Sequence, residues 1–273
     1  VKVGLALPSF VDDPEIPIRV ARVADEAGLD GVFVYDHLFR VGRDGTRRPA
    51  LECCTLLAAL AVETRRVVLG TLVLRATLRA PAAAAVALET VRRIAGDRLV
   101  VGVGAGDAES AVEMEEFGLR FGTLPERVGA VVATCDALRE RGLRVWVGGS
   151  ARHLGSVAVG HADGWNRWGV DVSRFAAERD ALGTRPPGFT LSWGGLVVLA
   201  PTVAAAREKA DRLGAGPGVL VGDPPTVAEG LRAYAAAGAA WCILGPLDSS
   251  DPANAALASE VATHLGAPPR EAV

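Results

Sequence analysis

Five stretches of the chain bring together residue types that can do chemistry. The first, Tyr35-Asp36-His37-Leu38-Phe39, closes an apolar run. A carboxylate beside an imidazole can handle a proton, because imidazole changes charge near neutral pH; the plainer reading is loop polarity or a helix cap. The second, Gly70-Thr71-Leu72-Val73-Leu74, carries apolar side chains past an expected strand end, where Leu72 and Val73 would offer a flat surface to a planar ring. The third is Gly102-Val103-Gly104-Ala105-Gly106-Asp107. Its glycines give either backbone freedom at a crowded rim or close approach of a ligand, with Asp107 aimed into the mouth. It is not a dinucleotide fingerprint, since GxGxxG would need glycine at 107.

The fourth stretch, Val147-Gly148-Gly149-Ser150-Ala151-Arg152, reads as a strand end running into a helix start. Unpaired N–H groups and the helix dipole there favour a phosphate, and Arg152 adds positive charge; an ordinary helix capped by Ser150 is the alternative. The fifth, Asp163-Gly164-Trp165-Asn166-Arg167-Trp168, places two tryptophans and an arginine where they could frame a ring or a phosphate.

These stretches need a scaffold that presents strand ends side by side. Short apolar runs without polar alternation, such as Leu99-Val100-Val101 and Val145-Trp146-Val147, predict strands covered on both faces, as in a parallel sheet. Between them, Ile16, Val20, Val23, Ala24 and Ala27 recur at helical spacing, as do Val128, Val131, Val132, Cys135 and Leu138. The alternation predicts strands near 3–7, 31–35, 67–73, 98–102, 143–147, 163–167, 191–199 and 241–245. Helices are expected near 15–27, 50–63, 81–95, 124–141, 151–161, 173–182, 202–213, 225–237 and 253–265, one more than eight units need. The fold class is α/β, a parallel (β/α)8 TIM barrel forming a single domain over 1–273; a doubly wound open sheet is the rival, and closure is preferred because it removes both edges. In such a barrel, functional residues sit where strands end and loops begin.

Composition narrows the function. The net charge is −3, with 29 basic and 32 acidic residues interspersed, so neither a nucleic acid nor a lipid surface is an expected partner. Cys53, Cys54, Cys135 and Cys242 show no CxxC spacing, which predicts reduced buried thiols and no metal site. No run of about 18 apolar residues and no charged-then-apolar leader appears, so a cytoplasmic protein acting on a small molecule is expected.

The order of these junctions resembles the bacterial luciferase-like monooxygenase family, particularly its branch dependent on the deazaflavin coenzyme F-420. The resemblance rests on Gly28-Leu29-Asp30-Gly31-Val32-Phe33-Val34-Tyr35-Asp36-His37, on Arg66-Val67-Val68-Leu69-Gly70-Thr71, on the run from Asp97 to Gly106, and on Val145-Trp146-Val147-Gly148-Gly149-Ser150. It resumes at Val221-Gly222-Asp223-Pro224-Pro225-Thr226-Val227 and ends near Ala237-Gly238.

The resemblance implies a cofactor ring lying across the strand ends. By that likeness Asp36 and His37 match ring-contacting positions, and Leu72-Val73 match a site that often holds a non-prolyl cis peptide. Ala105, Gly106 and Asp107 match the next ring-contacting loop, whose carboxylate serves some members as proton donor. Gly148, Gly149 and Ser150 match the phosphate side, to which Arg152 is added on electrostatic grounds. The implied activity is hydride transfer between F-420 and a small organic substrate, with His37 or Asp107 moving the proton, in a homodimer. Two other readings stand beside it: an FMN-dependent monooxygenase fed reduced flavin by a partner flavin reductase, and a non-catalytic flavin-binding barrel. The chain is shorter than members usually are between Leu138 and Leu143 and over 169–190, and the segment after His37 lacks the tryptophan of sugar-phosphate-oxidising relatives.

Overall fold

The computed structural model describes residues 1–42 and 45–266. In chain order the strands are β1 (Lys2–Ala6), β2 (Gly31–Val34), β3 (Phe39–Val41), β4 (Arg47–Pro49), β5 (Val68–Arg75), β6 (Leu99–Gly104), β7 (Arg144–Gly148), β8 (Gly164–Trp168), β9 (Thr190–Leu199), β10 (Leu220–Gly222) and β11 (Trp241–Pro246). The ring runs β1, β2, β5, β6, β7, β8, β9, β11 and back to β1, every neighbour parallel. Closure is therefore complete, and the open sheet is excluded.

The helices are α1 (Glu15–Glu26), α2 (Cys53–Glu63), α3 (Pro81–Ala95), α4 (Ala108–Glu116), α5 (Leu124–Arg139), α6 (Ala151–His161), α7 (Val172–Ala181), α8 (Val203–Leu213), α9 (Pro224–Ala236) and α10 (Ala253–His264). The surplus helix has a structural reason. β9 is ten residues long, and its last three, Val197–Leu199, extend beyond the stretch paired with β8 and pair with β10. An extra strand thus separates α8 from α9. α4 also departs from expectation: its acidic sequence hides a helix that Asp107 and Ser110 close with a reciprocal capping box. Part of the polar segment after His37 forms the β3–β4 hairpin, while 43 and 44 lie outside the described residues.

Side chains fill the ring's interior by pairing large residues with glycines. A Cβ at Gly70 would come within 2.5 Å of the Phe33 ring, one at Gly164 within 2.6 Å of Trp146, and one at Gly245 within 2.9 Å of Trp168. Phe33, Trp146 and Trp241 pack together beneath the rim, so the barrel is a solid core rather than a pore. The pairing of β5 with β6 shifts between Thr71 and Leu74, which lets consecutive Leu72 and Val73 both join this inner cluster. The Leu72–Val73 peptide is cis.

Outside the ring, Asp25 at the end of α1 ties down the approach to β5. Its carboxylate accepts the backbone N–H groups of Arg65, Arg66 and Val67 at 3.0, 2.7 and 2.8 Å. Burial pushes its pKa up, but those three donors and the Arg66 charge outweigh that and hold it below the usual aspartate value. Its stabilising contribution is therefore complete above the unfolded value of about 3.9 and disappears as pH falls through the lower folded value. Asp25→Asn is expected to cost about 2–3 kcal/mol in urea unfolding near neutral pH. That difference should shrink markedly at about pH 3; equal losses at both pH values would contradict the assignment.

Candidate active site

The C-terminal ends of β2, β5 and β6 converge on a charged cluster. β2 delivers Asp36 and His37, β5 delivers Arg75 and leads to Arg79, and the loop after β6 starts α4, which carries Asp107 and Glu113. Asp36 is buried, and its carboxylate accepts Arg79 Nη1 and Nη2 at 2.7 and 2.9 Å as well as the Arg75 backbone N–H at 2.8 Å. Both oxygens are thus committed to protein partners. Arg79 in turn reaches Glu52, which caps α2 through the Thr55 N–H. The helix-cap role falls to Glu52, while Asp36 anchors the loop.

His37 faces a second buried carboxylate. Its Nδ1 lies 2.6 Å from Glu113 Oε1 and 2.9 Å from Arg75 Nη2, and Glu113 Oε2 accepts the Leu38 N–H at 2.8 Å and pairs with Arg75 at 3.1 Å. Burial raises the Glu113 carboxyl, but the His37 and Leu38 hydrogen bonds and the nearby charges of His37 and Arg75 outweigh it and hold the group below the usual carboxylate range. Glu113 is therefore ionised. It was not legible in the sequence, where it appears as one of several glutamates in an acidic stretch.

Asp107 is the N-cap of α4. Its Oδ1 accepts Ser110 N–H at 2.9 Å and Ser110 Oγ–H at 2.8 Å. Burial raises its carboxyl, while Ser110, then the charges of His37 and Arg75, bring it below the usual value. The group is ionised near neutrality, which suits it to accept a proton rather than donate one. Ala105 is buried, and Gly106, at φ 74°, turns the chain against Ser110 and Phe121.

Beside this cluster lies an apolar ledge. Gly194, Gly245 and the Trp168 ring meet inside the rim, and Leu196, two residues beyond Gly194 and opposite Gly245, shares their inward face. Leu196 is nevertheless 40% exposed, an unusual state for an inward-facing strand leucine. Tyr35 meets Trp168 edge-on at 6.2 Å and stacks on Phe10 at 6.2 Å, and Phe10 lies 5.4 Å from the His37 ring. Burial pushes the Tyr35 phenol up, so it stays neutral. Val73 is half-buried at the same mouth.

Several glycines serve packing rather than a ligand. A Cβ on Gly104 or Gly148 would run into the Val73 side chain, and one on Gly102 into the Thr71 carbonyl oxygen, so glycine at these positions makes room for β5. Of the two readings of the β6 glycines, this packing accords with backbone freedom at a crowded rim. The aromatic–cation stretch of β8 also divides: Trp168 faces the mouth, whereas Trp165 stacks on Phe175 of α7 and donates to Gly149 O at 2.9 Å. Alternation along a strand sends neighbours to opposite faces, and Arg167 therefore pairs with Glu178 at 2.9 Å on the helix side.

The start of α6 has an occupant from within the chain. Gly149, at φ 145°, donates its N–H to Asn166 O, and the Ala151 N–H donates to Glu178 Oε2 at 2.9 Å. Glu178 also holds Arg174 at 3.0 Å. Ser150 Oγ lies 3.2 Å from His153 Nδ1, and Arg152 is exposed with no ion pair among the described residues. Of the expected phosphate ligands Gly148, Gly149, Ser150 and Arg152, the last two retain capacity, Gly148 packs against Val73 and the Gly149 N–H is taken by Asn166 O, while the neighbouring Ala151 N–H is taken by Glu178.

The four cysteines are free and buried, and burial raises their thiols, to about 12 for Cys54. Among the described residues, no group of three or more His, Cys, Asp or Glu side chains is placed to hold a metal, and no helix is long and apolar enough to cross a membrane.

Comparison with known proteins adds a family match and a shared fold. Residues 12–142 match the luciferase-like monooxygenase family. The matched segment includes His37, the Leu72–Val73 cis peptide and α4 with Asp107 and Glu113. Over 133 residues, 46% of the chain, it is 36% identical to an F-420-dependent glucose-6-phosphate dehydrogenase of Amycolatopsis mediterranei. This match covers 39% of that enzyme, so the chain spans about two fifths of the length of the curated relatives it matches. Among solved structures, an F-420-dependent secondary alcohol dehydrogenase in complex with an F-420–acetone adduct superposes with a TM-score of 0.79 at 15% identity, covering 97% of this chain and 98% of that one. A long-chain alkane monooxygenase superposes with a TM-score of 0.78 at 14% identity, covering 97% and 92%. Likeness at such identities establishes the shared (β/α)8 barrel.

Proposed function

We propose that this single-domain barrel is an oxidoreductase that binds coenzyme F-420 at its C-terminal rim and transfers hydride between it and a small organic substrate. The observation that carries the reading is a barrel mouth with apolar side chains on opposite sides, partly buried Val73 and Trp168 and half-exposed Leu196, together with a histidine held by an ionised carboxylate at the same strand ends. The residues present fit the ring: Val73, Trp168 and Leu196 offer apolar surface, and buried Arg75 Nη1 has no partner among the described residues, leaving a donor for a polar ring substituent. For the tail they fit in part, through Ser150 and Arg152. When bound, the deazaflavin supplies a ring carbon able to take or give hydride.

The chain's own contribution is position and a proton route. Val73, Trp168 and Leu196 support the ring face and keep water from it. His37 accepts or returns the substrate's proton, Asp107 adds negative charge nearby, and Asp36 fixes the loop on which His37 stands. The curated relatives support F-420, and the absence of their tryptophan after His37 keeps glucose 6-phosphate from being carried over. A second reading, an FMN-dependent monooxygenase with a partner reductase, is favoured by the family match and the alkane monooxygenase neighbour. Exposed Val62, Val86 and Ile94 on α2 and α3 support a homodimer, and four buried free thiols support a cytoplasmic setting.

Anaerobic titration of the protein with F-420, FMN and FAD, followed by absorbance and oxygen uptake on adding reductant, tests the assignment. Selective F-420 binding without oxygen uptake is expected. FMN binding with uptake would establish the monooxygenase reading, and binding without turnover across a broad substrate panel would leave a flavin-binding barrel.

A further inference from the structure

We infer that Glu113 is a positioning residue that fixes the proton of His37 on Nδ1 and leaves Nε2 as the working nitrogen. The inference rests on the proposed role of His37 in proton transfer. One ring nitrogen faces two competing partners: Glu113 Oε1 at 2.6 Å, which can only accept, and Arg75 Nη2 at 2.9 Å, which can only donate. They demand opposite tautomers.

The carboxylate wins on three counts. It is closer, and a bare Nδ1 lone pair at that separation would face another lone pair with no hydrogen between them. It is also ionised by its surroundings, so it cannot supply the missing proton itself. Arg75 Nη2 has an alternative acceptor in Glu113 Oε2 at 3.1 Å, so it loses no hydrogen bond by yielding Nδ1. The Leu38 N–H, bound to the same carboxylate at 2.8 Å, then locks Glu113 to the backbone next to His37. Other charged groups near His37 are Asp107 at the start of α4 and Asp36 one residue back, the latter already neutralised by Arg79. His37 Nε2 makes no hydrogen bond among the described residues, and the side chain is 25% exposed.

A carboxylate–imidazole pair of this kind orients the ring and stabilises the imidazolium formed when Nε2 takes a proton. It also explains why an acidic residue is buried in α4.

The tautomer can be read directly from nitrogen chemical shifts of 15N-histidine-labelled protein, which has only four histidines; His37→Asn assigns the signal. At a pH where the His37 ring is neutral, the wild type should show the Nδ1–H tautomer. Glu113→Leu should convert the neutral form to Nε2–H, while Glu113→Gln, which keeps an acceptor oxygen, retains Nδ1–H. Turnover with F-420 should fall about a hundredfold in Glu113→Leu and be partly rescued in Glu113→Gln, in kcat rather than KM. A wild-type His37 in the Nε2–H form, or a Glu113→Leu protein with unchanged tautomer, would overturn the inference. An intact Nδ1–H signal in a protein with no F-420 turnover would instead sink the hydride-transfer reading and leave the pair in place.

Discussion

His37→Ala is expected to slow hydride transfer by about two to four powers of ten while leaving the unfolding transition nearly in place. The reason is that His37 is the proposed proton carrier, next to the charged cluster at the mouth, and its partly exposed ring contributes little to the core. Asp107, the other candidate, has its carboxylate tied to Ser110 and held in the ionised form. Single-turnover absorbance changes of F-420 measure the step, and thermal unfolding measures the fold. An unchanged rate would remove His37 from the mechanism and shift attention to the neutral Tyr35 phenol beside it.

Asp36→Ala should have the largest effect on stability, about 3–5 kcal/mol, because it leaves a partly buried guanidinium and a buried backbone N–H without their acceptor. Arg79 donates both terminal nitrogens to this carboxylate, and the Arg75 N–H depends on it to fix the end of β5. Activity should fall as well, since the same strand end positions the Arg75 side chain against His37. Urea unfolding gives the stability change directly. A loss under about 1 kcal/mol would mean that the pair behaves like an exposed surface bridge.

The barrel was legible because parallel strands buried on both faces read as unbroken apolar runs, and those of β6, β7 and β11 lie within a residue or two of where the sequence places them. β10 was not, since three residues carry no period and only the overhang of β9 gives them a partner. α4 was hidden for a related reason: its helical face points toward a polar cluster, so the stripe that marks an amphipathic helix is partly replaced by Glu113 and Ser110. At the site, adjacency in the chain gave Asp36 and His37, but no spacing rule connects His37 with Glu113, 76 residues away. Residue type also misled where strand alternation decides the face, as with Trp165 and Arg167, and where glycines yield space to a neighbour, as around Val73.

On the proposed function, the rim beside His37 receives the flat face of a deazaflavin. Calorimetric titration of F-420 into the wild type and into Leu196→Arg tests it most directly, because Leu196 lies on the ledge, is 40% exposed and takes no part in the charged cluster. One saturable site per chain is expected in the wild type and at least about a tenfold loss of affinity in the variant, equivalent to about 1.4 kcal/mol. Equal affinity in a folded Leu196→Arg protein, or no saturation in the wild type, would contradict it.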